Sequence, residues 1–508
     1  MSARPDWKLK VVKESGIGLS GSLVGTVLNY VLLLIVTRTL EPGEYGTFAL
    51  AQSVTTIVLI LALFGTPRAL DRFIPLFNAS GEFGKARTLI SRTFRVIMSA
   101  AAAATVGLVL AAGFIAGLMS DTAALAPVLR AMALGIPLLV YVELVASSFI
   151  GFKELRYQVY TQQLALPAVR IALVALAFAM GYRLAGWVAV YLVSLVFVSL
   201  LALAFFRHHI SPMLSAHDAA PLSLRSVASY SWPLTVNNIV LVFFGQVGVL
   251  FLGRYSSLAD AGVFRVYVYA VMVMIMVRAS FTRIYKPVAS EMISMGDREE
   301  LGRAYSRVGK WLFALNAGLF LVIALFGARA LGILLGESYL VAPAALVVLA
   351  AGRLAVSSLG PQGMTLEAFG HTKLSMTNAL LMVGVNVALC VVLVPRYGIL
   401  GAAIAASAAG AAGALAGLIE VYALHRLHPV SPEFLKCAAV AIVVGLLARW
   451  QLAKLPALGL AGVISLAAAT LVVYGLGLLV SGGLDAVDRG LLADARDRLL
   501  RRSHDRVQ

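Results

Sequence analysis

Acidic residues are scarce in this sequence: 24 Asp and Glu stand against 41 Lys and Arg in 508 residues, and all charged residues together make 13%. Soluble domains carry about a quarter, so there is too little polar material to solvate a globular chain of this length. Cysteine is nearly absent. Cys390 and Cys437 both fall in apolar runs, too few for a disulfide framework or a thiolate metal cluster. No Gly-rich phosphate loop of the Walker type and no metal-ligand cluster is visible, so ATP hydrolysis by this chain is not expected, and neither a metal nor another cofactor is implied. The basic start MSARPDWKLKVVKESG is not followed by a short apolar core with a small-residue cleavage site, so the first apolar run is read as a retained helix.

What is abundant is hydrocarbon: 60% of residues are hydrophobic and mean hydropathy is +0.91. Apolar runs long enough to cross a hydrocarbon core of about 30 Å as helices lie at 16–36, 45–65, 94–117, 125–150, 161–180, 184–206, 232–253, 261–282, 310–328, 340–360, 373–394, 398–421, 434–451 and 459–480, about fourteen in all. An all-α polytopic membrane protein is expected. The net charge of +17 could suggest nucleic acid. Yet about 29 of the 41 basic residues fall in the amino terminus, the even-numbered loops and the tail, where the positive-inside rule puts them. Membrane topology accounts for the charge, no nucleic-acid partner is expected, and both termini are placed in the cytoplasm. The basic loops at 66–93 and 283–309 are read as solvated inside loops, and the tail from Leu484, with Arg489, Arg496, Arg498, Arg501 and Arg502, as an amphipathic helix on the inner leaflet or a solvated tail.

The chain also repeats itself. VTRTLEPGEYGTFAL at 36–50 is echoed by LGRYSSLADAGVFRV at 252–266, aligning Arg38 with Arg254, Glu44 with Asp260, Gly46 with Gly262 and Phe48 with Phe264. Ser91-Arg92 answers Ser306-Arg307, and Gly186 answers Gly401, at nearly the same offset. Six predicted helices precede the linker and six follow it, so the halves have the same orientation, as in carriers built from two parallel repeats. The expected divisions are 1–206 (N-lobe, helices 1 to 6), 207–231 (linker), 232–424 (C-lobe, helices 7 to 12), 425–482 (helices 13 and 14) and 483–508 (basic tail). In each copy the repeated stretch is read as a hairpin from the first helix of a lobe to its second, the glycine allowing a close or unusual backbone turn and the acid sitting near a helix start.

This layout resembles the polysaccharide-type flippases of the multidrug/oligosaccharidyl-lipid/polysaccharide exporter superfamily, on the strength of the two bundles of six, Arg38, Leu40, Pro42, Glu44, Tyr45 and Gly46 with their weaker second copy, and two extra carboxyl-terminal helices. The resemblance implies a bacterial inner-membrane carrier that turns a polyprenyl-diphosphate-linked saccharide outward for O-antigen, capsule or exopolysaccharide assembly. It implies as partners the lipid-linked saccharide, membrane lipids and polysaccharide polymerases or glycosyltransferases. It also implies that the first, second, seventh and eighth spans line a central cavity. One departure is plain: helix one has no basic residue in its middle.

A diphosphate carrier needs fixed cations and polar groups, and Arg supplies a planar fork for phosphate. Arg265, Tyr269, Met272, Met276 and Arg283 share one face of a continuous eighth helix. Arg265 and Arg283 are then about 27 Å apart along its axis, and Arg278 points elsewhere. Candidate substrate contacts are Arg265, Arg278, Arg283, Tyr269, Asn237, Asn238, Gln246, Asn29, Gln52 and Ser22, set against the plainer readings that arginines snorkel and hydroxyls bond their own helix. Ser15, Thr26, Thr55 and Thr56 join the polar stripes, Gly21 and Gly25 suggest close helix packing, and Arg170 and Arg353 are weaker intramembrane candidates. Glu143 is the clearest intramembrane carboxylate and a candidate for energy coupling. Two alternatives stand: a cation-coupled multidrug exporter, disfavoured by the lack of acids in the cavity-lining spans, and a membrane glycan polymerase, ligase or lipid-sugar glycosyltransferase, disfavoured by short outside loops and by histidines (His208, His209, His217, His371, His425, His428) on inward segments.

Overall fold

The structure, a computed structural model, describes residues 7–119, 124–215, 218, 220–222, 224–454, 459–485, 488 and 490. Among them there are helices and turns and no strand. In chain order the α-helices are α1 (Trp7–Thr39), α2 (Pro42–Leu63), α3 (Thr66–Ala79), α4 (Phe83–Gly117), α5 (Leu125–Ala133), α6 (Ile136–Gly151), α7 (Leu155–Gln158), α8 (Leu166–Ala179), α9 (Leu184–Phe205), α10 (Ser211–Ser215), α11 (Leu224–Tyr255) and α12 (Leu258–Ala270). There follow α13 (Met272–Met295), α14 (Arg298–Leu335), α15 (Pro343–Ser358), α16 (Gln362–Ala368), α17 (Thr372–His425), α18 (Pro432–Leu452) and α19 (Leu460–Val480). Two π-helical stretches, Val159–Ala165 and Phe206–Ile210, join α7 to α8 and α9 to α10.

Eleven of these helices, or contiguous runs of them, are long and apolar enough to cross a membrane, and up to thirteen if the bent pairs α12 with α13 and α15 with α16 each count as one span. The longest, α17, has 54 residues and is not straight. Pro395 removes a backbone donor and Gly398 takes φ 50°, ψ −126°, a left-handed conformation closed to side chains with a Cβ. The break falls between the apolar runs expected at 373–394 and 398–421. Large apolar side chains such as Leu110, Phe114 and Val480 are exposed (79%, 71% and 88%), which only a hydrocarbon solvent makes inexpensive.

The chain divides into two compact units, residues 1–265 with 390–402, and residues 266–389 with 403–508. In the first, α2 packs on α11 and α5, and α3 on α6. Its core is built from Leu70, Ile74, Leu89, Ile136, Val140, Leu144 and their neighbours. In the second, α14 packs against α15, α18, α13 and α19, burying Phe313, Phe434, Cys437 and Tyr474 together.

Three expectations are corrected here. The loop expected at 66–93 is largely helical: after a left-handed corner at Phe64 and Gly65, α3 buries Ala69, Leu70 and Ile74, while its charged residues interrupt the apolar run that marks a span. The loop expected at 283–309 shrinks to a turn at Gly296 (φ 73°) and Asp297, whose carboxylate caps α14 by accepting from the Glu300 N–H at 3.0 Å. Solvated helix ends escape a hydropathy reading because their charges need no burial. Finally, the eighth span is not one continuous helix. It bends by 41° at Val271 (φ −86°, ψ −1°), where the Met274 N–H bonds the Val271 carbonyl. No Gly or Pro announces that break. Tyr267, fully buried, ties the end of α12 down by donating to the Tyr339 carbonyl at 2.9 Å. The tail beyond Gly490 lies outside the described residues.

Candidate functional site

The repeated motif explains how the site is positioned. Glu41 and Glu44 form a capping box at the start of α2, and Asp260 lies in the first turn of α12, so the aligned acids do sit at helix starts. Arg183 also binds Glu41 and Glu44, at 3.0 and 2.9 Å. The glycines, however, make a close approach rather than an unusual turn. A Cβ on Gly46 would lie 1.6 Å from the Leu258 carbonyl, and one on Gly262 would lie 2.4 Å from the Pro42 carbonyl and 2.8 Å from the Gly46 nitrogen. The two copies of the motif therefore meet backbone to backbone. Arg38 and Arg254 remain exposed.

One turn further along that seam sits Arg265. On α2 the steps of four and three residues from Gly46 lead to Leu50, against which Gly253 packs, and to Ser53. On α12 three residues from Gly262 lead to Arg265, which is 8% exposed. Its Nη2 donates to Ser53 Oγ at 3.3 Å and to Gln246 Oε1 of α11 at 3.1 Å. Both of these acceptors are neutral oxygens, and the two bonds orient the guanidinium. Arg265 and Gln246, both candidates from the sequence, come together; Ser53 was missed. Its signal was register: it lies seven residues from a repeated glycine.

The other candidates are dispersed. Arg278, on α13, donates to the Val356 carbonyl at 3.4 Å and to Gln362 Oε1 at 3.5 Å, and takes part in no ion pair among the described residues. Arg353 on α15 is close enough for its charge to act on Arg278. Tyr269 lies half-buried in the last turn of α12, and Asn238 is exposed on α11. Asn237 and Arg283 belong to α11 and α13, but their side chains lie outside the described residues. Ser22 donates to Gln163 Oε1 at 3.1 Å, whereas Asn29, Thr26, Thr55 and Thr56 bond carbonyls four residues back in their own helices. Gln52 is half-buried on α2. Gly21 and Gly25 pack tightly on Val159 and Gln163. Arg170 donates to Ser194 Oγ at 3.1 Å and lies 4.9 Å from the Tyr191 ring.

Glu143 on α6 is hydrogen-bonded by Gln162, and its charge reaches Asp71 on α3. Asp71 was not singled out in the sequence. Burial pushes its carboxyl up to about 6, Arg68 opposing and Glu143 adding to the shift.

Residues 11–293, more than half of the chain, match the family described as "Polysaccharide biosynthesis protein". The chain belongs to that family. As a polysaccharide biosynthesis protein it is a multi-pass membrane protein, and its fold recurs in solved structures at low identity. One is lipid II flippase MurJ in an inward closed conformation, 13% identical, covering 95% of this chain and 100% of that one with a TM-score of 0.71. Another is a multidrug resistance MATE family transporter of the MOP superfamily in an inward-facing conformation, 15% identical, covering 79% of this chain and 95% of that one with a TM-score of 0.66. At such identities the likeness establishes the fold. No curated protein matches the sequence.

Proposed function

We propose that this chain is a flippase that moves a polyprenyl-diphosphate-linked oligosaccharide from the cytoplasmic to the outer leaflet of a bacterial inner membrane, for cell-surface polysaccharide assembly such as O-antigen or exopolysaccharide. The observation that carries the reading is the Arg265 seam: a buried guanidinium, positioned by Gly46 and Gly262 and hydrogen-bonded by two neutral oxygens. A diphosphate offers the fork two anionic oxygens in place of Ser53 and Gln246, an exchange that strengthens the bonds. Family membership and the fold shared with a lipid II flippase support the same substrate class.

In this mechanism two six-helix lobes, 1–206 and 232–424, rock about the substrate, with both termini cytoplasmic. Arg265 and Arg278 hold phosphate charge, Gln246, Gln52, Asn29, Asn237, Asn238, Ser22 and Tyr269 face the saccharide, Arg283 lies toward the pathway's end, and Glu143 couples the cycle to a cation gradient. No bond is made or broken, and polymerases or glycosyltransferases act on the product. The test is transfer of a fluorescent polyprenyl-diphosphate saccharide in proteoliposomes by wild type and Arg265→Gln. Wild type accelerates transfer over empty liposomes and the folded variant loses most of the gain. Equal transfer by both removes Arg265 from the site. Transport of a hydrophobic cation instead of the lipid would replace the flippase reading with that of an exporter.

A further inference from the structure

Far along the chain from the Arg265 seam, the first unit holds a cleft of about 360 Å³, bounded by the end of α6, by α7, and by the π-helical stretch 206–210 with α10. Its floor is apolar, with Phe149, Phe152 and Ile210 all buried. Its wall is polar and nitrogen-rich. Arg156 pairs with Glu154 at 2.9 Å and lies 4.9 Å from the Tyr157 ring centroid. The His209 ring sits edge-on to Tyr157 at 4.6 Å and next to His208 at 4.8 Å. The Nδ1 of His209 is buried and has no hydrogen-bond partner among the described residues. A buried, unsatisfied imidazole nitrogen costs free energy unless a ligand or water completes it.

One π-helical stretch lines this place, and the other begins next to it in sequence. π-Helix is rare and is retained mostly at functional positions. Here Val159–Ala165 follows α7 directly, and Phe206–Ile210 carries His208 and His209 themselves. The first stretch also abuts α1, where a Cβ on Gly21 would lie 2.1 Å from Val159 Cγ1 and Ser22 donates to Gln163.

From this arrangement we infer that the cleft binds a phosphate ester, the phosphate seated between Arg156, His208 and His209 and its apolar remainder against Phe149 and Phe152. Arginine supplies a permanent charge with a planar donor fork, and each imidazole offers an N–H donor when neutral and two when protonated. Exposed Lys153 and Arg207 flank the cleft in sequence and add positive field at its mouth. Glu154 offsets the Arg156 charge, so an incoming phosphate competes with it for the guanidinium. The same chemistry is available from the headgroup of an inner-leaflet phospholipid or from a soluble phosphate, and two probes separate them.

Dihexanoylphosphatidic acid and inorganic phosphate are titrated separately into the purified full-length protein in uncharged detergent, with binding followed by isothermal calorimetry. Binding of the amphiphile that weakens at least tenfold in Arg156→Gln and in the double variant His208→Gln/His209→Gln, while persisting in Arg265→Gln, supports the site. Amphiphile binding without phosphate binding assigns it to a lipid headgroup, and comparable affinity for both assigns it to a soluble ester. Should Arg156→Gln fail to fold, the histidine pair decides. No binding of either probe by wild type, or wild-type affinity in the folded variants, overturns the inference.

Discussion

Two cations of the second unit are treated in opposite ways. Lys310, in the fourth turn of α14, is 3% exposed and bound by the carboxylates of Asp488, itself fully buried, and of Asp485 at 3.3 Å. Trp311 Nε1 donates to the remaining Asp488 oxygen at 3.0 Å, and the backbone N–H groups of Asp485 and Asp488 close the network at 3.1 and 2.8 Å. Every polar atom there has work within the fold. Among the described residues Arg278 has two long bonds to neutral oxygens, and the charge of another arginine, Arg353, acts on it. The first arrangement fastens the segment after α19 to α14. The second leaves a cation on neutral acceptors, an arrangement that costs stability.

Removing one member of the closed network has the largest expected effect. Lys310→Met strands a buried carboxylate and costs about 3–5 kcal/mol, read as a drop in the unfolding midpoint in detergent. Lys310→Met/Asp488→Leu recovers most of it, because an apolar pair leaves no charge behind. A single variant within about 1 kcal/mol of wild type would remove the contrast, that being the worth of an exposed pair. Next comes the seam that places Arg265. Gly46→Ala forces a methyl group onto the Leu258 carbonyl and costs about 1–3 kcal/mol by overpacking, and lipid transfer falls with it. Arg278→Gln is the sharpest test of the comparison, since it leaves the midpoint unchanged or raised while transfer falls about tenfold or more, a charge-assisted hydrogen bond being worth about 1.5–3 kcal/mol. Arg278→Lys keeps the charge without the fork and falls between.

How much of this the sequence carried follows from which forces act locally. Burial in hydrocarbon leaves a long apolar run, so the helices were legible, as was the division of α17 into the runs at 373–394 and 398–421. The family resemblance, resting on the doubled hairpin, was legible for the same reason: a backbone contact that admits only glycine at Gly46 and Gly262 constrains both copies. Forces between elements leave no such trace. The bend at Val271 has neither Gly nor Pro, and its anchor, the Tyr339 carbonyl, lies 72 residues from Tyr267. Ser53 looks like any hydroxyl in a helix until α12 brings Arg265 to it. Lys310 and Asp488 sit 178 residues apart in stretches that read separately as the start of the apolar run at 310–328 and a tail.

Asp71 extends the comparison to a carboxylate, with the smallest expected effect. Asp488 is bound by a lysine, but Asp71 Oδ1 is buried with no hydrogen-bond partner among the described residues. Burial pushes its carboxyl from 3.8 to about 6, against the pull of Arg68 and with a push from Glu143. A raised carboxyl pKa means that the folded state holds its proton more tightly than the unfolded chain, which fixes the sign. Below about pH 4 both states are protonated and the group contributes no difference. As pH rises toward 6 the unfolded chain ionises first, stability falls, and above that the folded state carries the full cost of a poorly compensated carboxylate. Asp71→Asn should therefore unfold at a higher temperature than wild type at pH 7.5, with the gap closing as pH falls to 4, as followed by thermal unfolding in detergent across that range. A gap that does not change with pH would mean that the substitution acts through packing and not through the carboxyl's charge, and that burial does not set Asp71 apart from Asp488.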